Sequence, residues 1–214
     1  MTTELSTRSY RGQSQEQRRA ERRARLIAAA IEVYGERGYH HATVKGVCEQ
    51  AGLTERYFYE SFVNSEALLI DCYHVVTATV IGEILRAGET AGRGKVTRSR
   101  AMLHAYFAAL QRESRKARVF LVEIRGVSRT VDKAFDASLR AIGHEVARLV
   151  APAGTPDDEL LQAGVVGGVI HIALRWIESG YEPPIEQAVE SALKLGTVFA
   201  AAPRKRGRTD SASA

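Results

Sequence analysis

"TVKGVCEQAGLTERYFYESF", Thr43 to Phe62, holds two short apolar patterns separated by Ala51-Gly52-Leu53. Helices this short are marginal alone in water, because nucleation costs more than a few backbone bonds return. They persist only when packed against each other and against a longer partner. Thr43 is placed to cap the first helix, whose inward side chains are Val44, Val47 and Cys48. In the turn, Ala51 packs inside, Gly52 accepts a positive φ and Leu53 anchors the corner. Thr54 is placed to cap the second helix, with Phe58 and Phe62 facing inward. The spacing predicts a helix-turn-helix. Its outward face is then Glu55, Arg56, Tyr57, Tyr59 and Glu60. Guanidinium and phenol groups rarely cluster on a face that only meets solvent. They suit the major groove of DNA, and Lys45, on the exposed side of the first short helix, is within reach of a phosphate.

The rest of the chain agrees with that reading. It has 214 residues, 45% hydrophobic and 26% charged, enough for one large domain or a small one joined to a larger one. No apolar run reaches the roughly 18 residues of a membrane span. The arginine-rich start has no apolar leader, so a cytoplasmic location is expected. Two cysteines, Cys48 and Cys72, are too few for a disulfide framework or a zinc site and read as core residues. No metal or cofactor is expected. Net charge is +5, but it is concentrated at the ends. Residues 1–25 carry seven arginines against three glutamates, and residues 203–214 four Lys/Arg against one aspartate. The body between them is slightly acidic. Basic ends on such a body suit a polyanion better than an acidic small substrate.

Helical periodicity runs almost throughout. "QEQRRAERRARLIAAAIEVYGERG" puts Leu26, Ile27, Ala30, Ile31 and Tyr34 on one face and Gly38 at the stop. The next long helix opens at Asn64 or Ser65, and "RVFLVEIRGVS" reads as a short helix because no partner strand exists for it. Thr155-Pro156-Asp157-Asp158 starts another, with a cap, a first-turn proline and acids at the positive end.

"RLIAAAIEVYGERGYHHATVKGVCEQAGLTERYFYESFVNSEALL" resembles the N-terminal DNA-binding domain of TetR-family transcriptional regulators, over roughly residues 18–70. The likeness includes Glu-Arg-Gly-Tyr ending the first helix, Ala-Gly-Leu-Thr at the turn, the Tyr59…Phe62 pair and Ser-Glu-Ala-Leu opening the fourth helix. It implies an all-α protein: a flexible basic arm 1–17, a three-helix DNA-binding domain 18–64, a larger helical effector-binding and dimerisation domain 65–202, and a basic disordered tail 203–214. It implies a homodimer that binds a palindromic operator on double-stranded DNA and is released by a small-molecule effector, most simply as a repressor. An activator or an effector-independent regulator is the alternative within the family. On matching positions, Thr43 and Thr54 would meet phosphates at helix starts, Arg56 and Tyr57 base edges, and Tyr59 a phosphate. Arg18, Arg19, Arg22 and Arg23 would add phosphate contacts where this chain has Ser65 in place of the family's frequent lysine. A carboxylate near DNA costs affinity unless it accepts from a cytosine amino group or orients Arg56, and for Glu55 orientation is the favoured reading.

Beyond about residue 75 no signature remains. The row Ala163, Gly164, Gly167, Gly168 costs about 1 kcal/mol of helix propensity per glycine and lets another helix come close. A subunit seam fits it, formed with His171 and with Ile185, Val189, Ala192, Leu193 and Gly196 of the last helix; close packing inside one subunit also fits. Candidate pocket residues are His104, Phe107, Phe120, Glu123, Arg125, His144, His171 and Trp176. A helical enzyme is the rival class, but the chain holds no Gly-rich phosphate loop, G-x-S-x-G, H-E-x-x-H or CxxC. A purely electrostatic nucleic-acid binder is the other rival.

Overall fold

The computed structural model describes residues 14–150 and 158–200. The tail 203–214, most of the arm 1–17 and Thr155-Pro156-Asp157 lie outside the described residues. Helices succeed one another with no strand among the described residues: α1 Gln15–Arg37, a 3₁₀ turn Tyr39–His41, α2 Val44–Ala51, α3 Glu55–Ser61, α4 Ser65–Thr90, α5 Lys95–Arg112, α6 Ser114–Arg118, α7 Arg129–Val150, α8 Glu159–Glu178 and α9 Ile185–Ala200. The β-branched run after α6 is helical too, as a π-helical turn Val119–Glu123.

Residue contacts divide the chain into two compact units. The first joins Met1–Ala78 to Glu113–Phe135, and the second joins Thr79–Arg112 to Asp136–Ala214. The division expected at residues 64 and 65 falls inside the first unit. The cause is packing: Leu68, Leu69, Cys72 and Tyr73 of α4 are wholly buried, and α6 with its π turn lies against α1.

In the first unit α1 opens with a reciprocal cap. Gln17 N–H donates to Ser14 Oγ (3.1 Å) and Ser14 N–H to Gln17 Oε1 (2.7 Å), so the helix starts inside the stretch expected as a flexible arm. Near its end Gly35 meets α6. A Cβ there would lie 2.6 Å from Arg115 Cβ and 2.7 Å from Arg115 O. Gly38 stops α1 at φ 83°, ψ 152°, a conformation nearly restricted to glycine. Gly52 ends α2 in the left-handed region (φ 61°, ψ 40°), and Leu53 N–H returns to Cys48 O at 2.9 Å, closing the turn as expected. Phe58 and Phe62 point inward, 0% and 4% exposed. Cys48 and Cys72 are buried, and burial pushes both thiols up, which makes them packing residues.

In the second unit α9 lies on α5 and α8. Met102, Phe107, Leu110, Ala173, Trp176, Ala188, Val189 and Ala192 are buried in its core. Phe107 meets Trp176 edge-on at 5.4 Å, and the indole N–H donates to Pro183 O at 2.6 Å. Arg98 donates to Leu149 O (3.2 Å) and so covers a carbonyl near the end of α7.

Counting apolar runs underestimates two helices. By length and composition Ser65–Thr90 and Glu159–Glu178 are apolar enough to cross a membrane. They differ in how that surface is used: α4 carries Leu68, Leu69, Cys72, Tyr73 and Val76 at 1% exposure or less, whereas only Ala173 and Trp176 of α8 are buried.

Candidate nucleic-acid interface

Two very short helices hold their place because α1 supplies groups for their loose ends. The last carbonyls of a helix have no partner within it and carry its negative end. Arg25 donates to Ala51 O at 2.7 Å, at the end of α2. Arg19 donates to Glu60 O (2.9 Å) and Arg23 to Ser61 O (2.5 Å), both at the end of α3. Arg23 also pairs with Asp71 of α4 and lies 4.2 Å over the Phe62 ring. At the other ends Thr43 Oγ1 accepts from Gly46 N–H (3.0 Å), and Asn64 Oδ1 from Ala67 N–H (2.8 Å), so Asn64 is the cap of α4. The Thr54 hydroxyl makes no capping bond, contrary to expectation. Thr54 serves the helix through its carbonyl, which accepts from Tyr57 N–H at 3.0 Å.

The face expected to read DNA is present as a surface. Glu55, Arg56, Tyr59 and Glu60 are exposed, with Arg56 84% exposed as a side chain. Tyr57 is half-buried, because the Arg22 guanidinium lies 4.5 Å from its ring centroid. Arg56 Nε donates to Glu60 Oε1 at 3.0 Å, and Lys45 Nζ lies 3.9 Å from Glu49 Oε1. Both are exposed i,i+4 pairs that add little to folding stability in water.

The expected basic cluster is partly reassigned. Arg18, Arg19, Arg22 and Arg23 all lie on α1. Arg19, Arg22 and Arg23 already serve α3. The pairing of Asp71 and the capping by the α1 arginines leave no local pattern in the sequence, because the partners lie 26 to 48 residues apart.

The nominated pocket residues are divided between the two units. Phe120 and Glu123 belong to the first unit: Phe120 stacks on Tyr73 at 5.9 Å, and Glu123 is the buried anchor of a hydrogen-bond pair. Its Oε2 accepts from Tyr39 N–H and its Oε1 from Arg118 Nε, both at 2.7 Å. Arg125 is exposed. Phe107 and Trp176 are core partners in the second unit, while His104, His144 and His171 are exposed. Side-chain type nominated them, whereas burial is set by how the helices pack. One groove of about 290 Å³ in the first unit is lined by Glu32, Val33, Glu36, Arg37, Gly46, Glu49, Gln50 and Arg115, none of them nominated. Its carboxylates are engaged: Glu32 and Glu36 with Arg115, Glu49 with Lys45.

The nominated seam divides in two. Val189 and Ala192 are buried inside the second unit, and Gly168 packs within it, since a Cβ there would lie 2.4 Å from Leu195 Cδ2. These positions follow the inner reading, because α9 needs its small face to lie on α5 and α8. A Cβ on Gly164 or Gly167 meets nothing within 4 Å, and His171 is exposed. Ile185 and Leu193 are half-buried, and Gly196 is helical.

A long helix buttressing two short ones, with an αL glycine at their joint and an exposed basic-aromatic face, defines a helix-turn-helix DNA-binding protein. Residues 26–72 match the family described as bacterial regulatory proteins of the tetR family. The DNA-binding domain of the chain is that of the TetR family of transcriptional regulators. It is 23% identical over 189 residues to the HTH-type transcriptional activator FasR of Mycolicibacterium smegmatis, spanning 83% of this chain and 82% of FasR. It is 34% identical to the regulator UidR of Escherichia coli over 47 residues, 22% of this chain and 24% of UidR. In fold it is similar to the fatty acid degradation regulator FadR of Bacillus halodurans, with TM-score 0.70, 19% identity and coverage of 86% of this chain and 97% of that one. FadR of Bacillus subtilis in complex with stearoyl-CoA gives TM-score 0.65 at 20% identity, over 80% of this chain and 96% of that one.

Proposed function

We propose that the chain is a cytoplasmic homodimeric repressor that reads a palindromic operator with α3 and releases it when a small molecule occupies the second unit. The observation that carries the DNA reading is the exposed face of α3, held rigid by arginines of α1 yet tied on its outer side only by weak surface pairs. Arg56 and Tyr57 meet base edges, with Glu55 beside them; Thr43, Lys45, Thr54 and Tyr59 meet phosphates, and Arg18 adds charge. Selection from a random DNA pool tests this, and the winning sites are expected to be palindromic. Arg56→Ala is expected to cost about 1–3 kcal/mol on the selected site and to relax choice at one base pair per half-site. Lys45→Ala is expected to weaken all sequences alike. A base preference that Arg56→Ala leaves intact at every position counts against α3 as the reader.

Dimerisation is supported by α8, whose Leu160 is 88% and Leu161 37% exposed, with Gly164 and Gly167 open beside them. Gly167→Glu is expected to keep the subunit folded, because the site is open and Glu favours helix over Gly. It is expected to yield monomer by light scattering, with operator affinity near that for random DNA. An intact dimer places the seam elsewhere. Coupling would pass along α4, which contributes Ser65–Ala78 to the first unit and Thr79–Thr90 to the second. Acyl-CoA thioesters are the first effectors to test, on the strength of the stearoyl-CoA held by the Bacillus subtilis regulator. An activator is the second reading, favoured by the likeness to FasR along most of the chain.

A further inference from the structure

Glu60 stands on the reading face but matches no DNA-contacting role, and a carboxylate there repels phosphates. The structure gives it another use. Its Oε1 accepts from Arg56 Nε at 3.0 Å, and its Oε2 lies 3.8 Å from Arg22 Nη2. Arg22, anchored on α1, lays its guanidinium over the Tyr57 ring at 4.5 Å. The Glu60 backbone carbonyl is held in turn by Arg19 at 2.9 Å. One carboxylate therefore joins Arg56 to the group that covers Tyr57, and the whole set is fastened to α1.

The atoms used matter. A guanidinium offers five N–H donors in a planar fork, and two adjacent ones suit the O6 and N7 of guanine. The bond to Glu60 is made by Nε and leaves the two Nη groups of Arg56 at its free end. An arginine held by its stem edge keeps its terminal fork for the base, and it loses less rotamer freedom on binding than a loose one.

We propose that Glu60 is a specificity-determining positioning residue: by holding Arg56 through Nε, and by bracing Arg22 over Tyr57, it sets both reading side chains before DNA arrives. This rests on α3 being the base-reading helix. A positioned arginine gains on its preferred base pair, whereas the negative charge of Glu60 weakens binding to every sequence equally. The two effects separate in measurement.

The test uses the full chain, the selected operator, its single-base variants and random DNA, with E60A, E60Q and R56A. E60A is expected to reduce preference by about two- to tenfold at one base pair per half-site while random DNA binds as tightly or more tightly. E60Q keeps an acceptor for Nε and is expected to retain most of the preference. The proposal is overturned if E60A keeps preference at every position, or shifts specific and random binding by one factor, as a plain charge effect does. It is also overturned if E60A loses both in step with a lowered Tm, as a purely structural role requires. R56A separates this failure from the larger one. If R56A relaxes a base pair that E60A does not, α3 reads DNA and only the role of Glu60 is wrong; if neither variant relaxes any, the reading of α3 fails.

Discussion

Gly35→Ala is expected to destabilise the protein by about 1–3 kcal/mol, the usual cost of forcing extra volume into a packed contact. The added methyl would stand 2.6 Å from Arg115 Cβ, 2.7 Å from its carbonyl oxygen and 2.8 Å from its Cα. Two of these atoms belong to backbone, so no side-chain rotation relieves the clash and α6 must retreat from α1. Retreat also strains the Arg115 pairs with Glu32 (2.6 Å) and Glu36 (3.7 Å), although these are exposed and add little. Helix propensity works the other way, since alanine is the better helix former by about 1 kcal/mol. A measured stabilisation would therefore mean that α6 does not approach α1 this closely. Each kcal/mol lost lowers Tm by roughly 2–4 °C in a chain of this size, so thermal unfolding checks the sign and size together.

Glu123→Ala is expected to cost a similar amount, about 1–3 kcal/mol, and to loosen the turn between α1 and α2. Glu123 is 9% exposed and is the acceptor for Tyr39 N–H, the first donor of the 3₁₀ turn. Removing the carboxylate leaves that N–H without its bond. Arg118 loses its partner too, but at 43% exposure water replaces much of what it had. Gly38 gives way to this contact: a Cβ there would lie 3.4 Å from both Glu123 oxygens and 3.1 Å from Arg118 Nη2. Hydrogen exchange reads the effect directly. The Tyr39 amide should exchange faster in Glu123→Ala, and more nearly as in the parent in Glu123→Gln, which keeps an acceptor. Unchanged exchange in the alanine variant would show that the turn does not depend on this bond.

Both predictions concern residues whose importance the sequence conceals. Gly35 lies in the last turn of α1, three residues before Gly38, and only Gly38 looks like a stop. Glu123 is a charge in an apolar run, which invites a ligand role until its partner is found 84 positions away. By contrast the helix-turn-helix was legible, because its signals are local: a capping threonine three residues before Gly46, an αL glycine at the joint, and Phe58 and Phe62 at i,i+4. The exposed face of α3 followed from that period alone. Tertiary structure decided what the helices beyond and around it touch. It set α6 on α1, turned Val189, Ala192 and Gly168 inward, and left Gly164 and Gly167 open. A helix declares from its sequence that it has an apolar face. Which neighbour covers that face depends on the shapes of distant helices, and no short-range pattern carries that information.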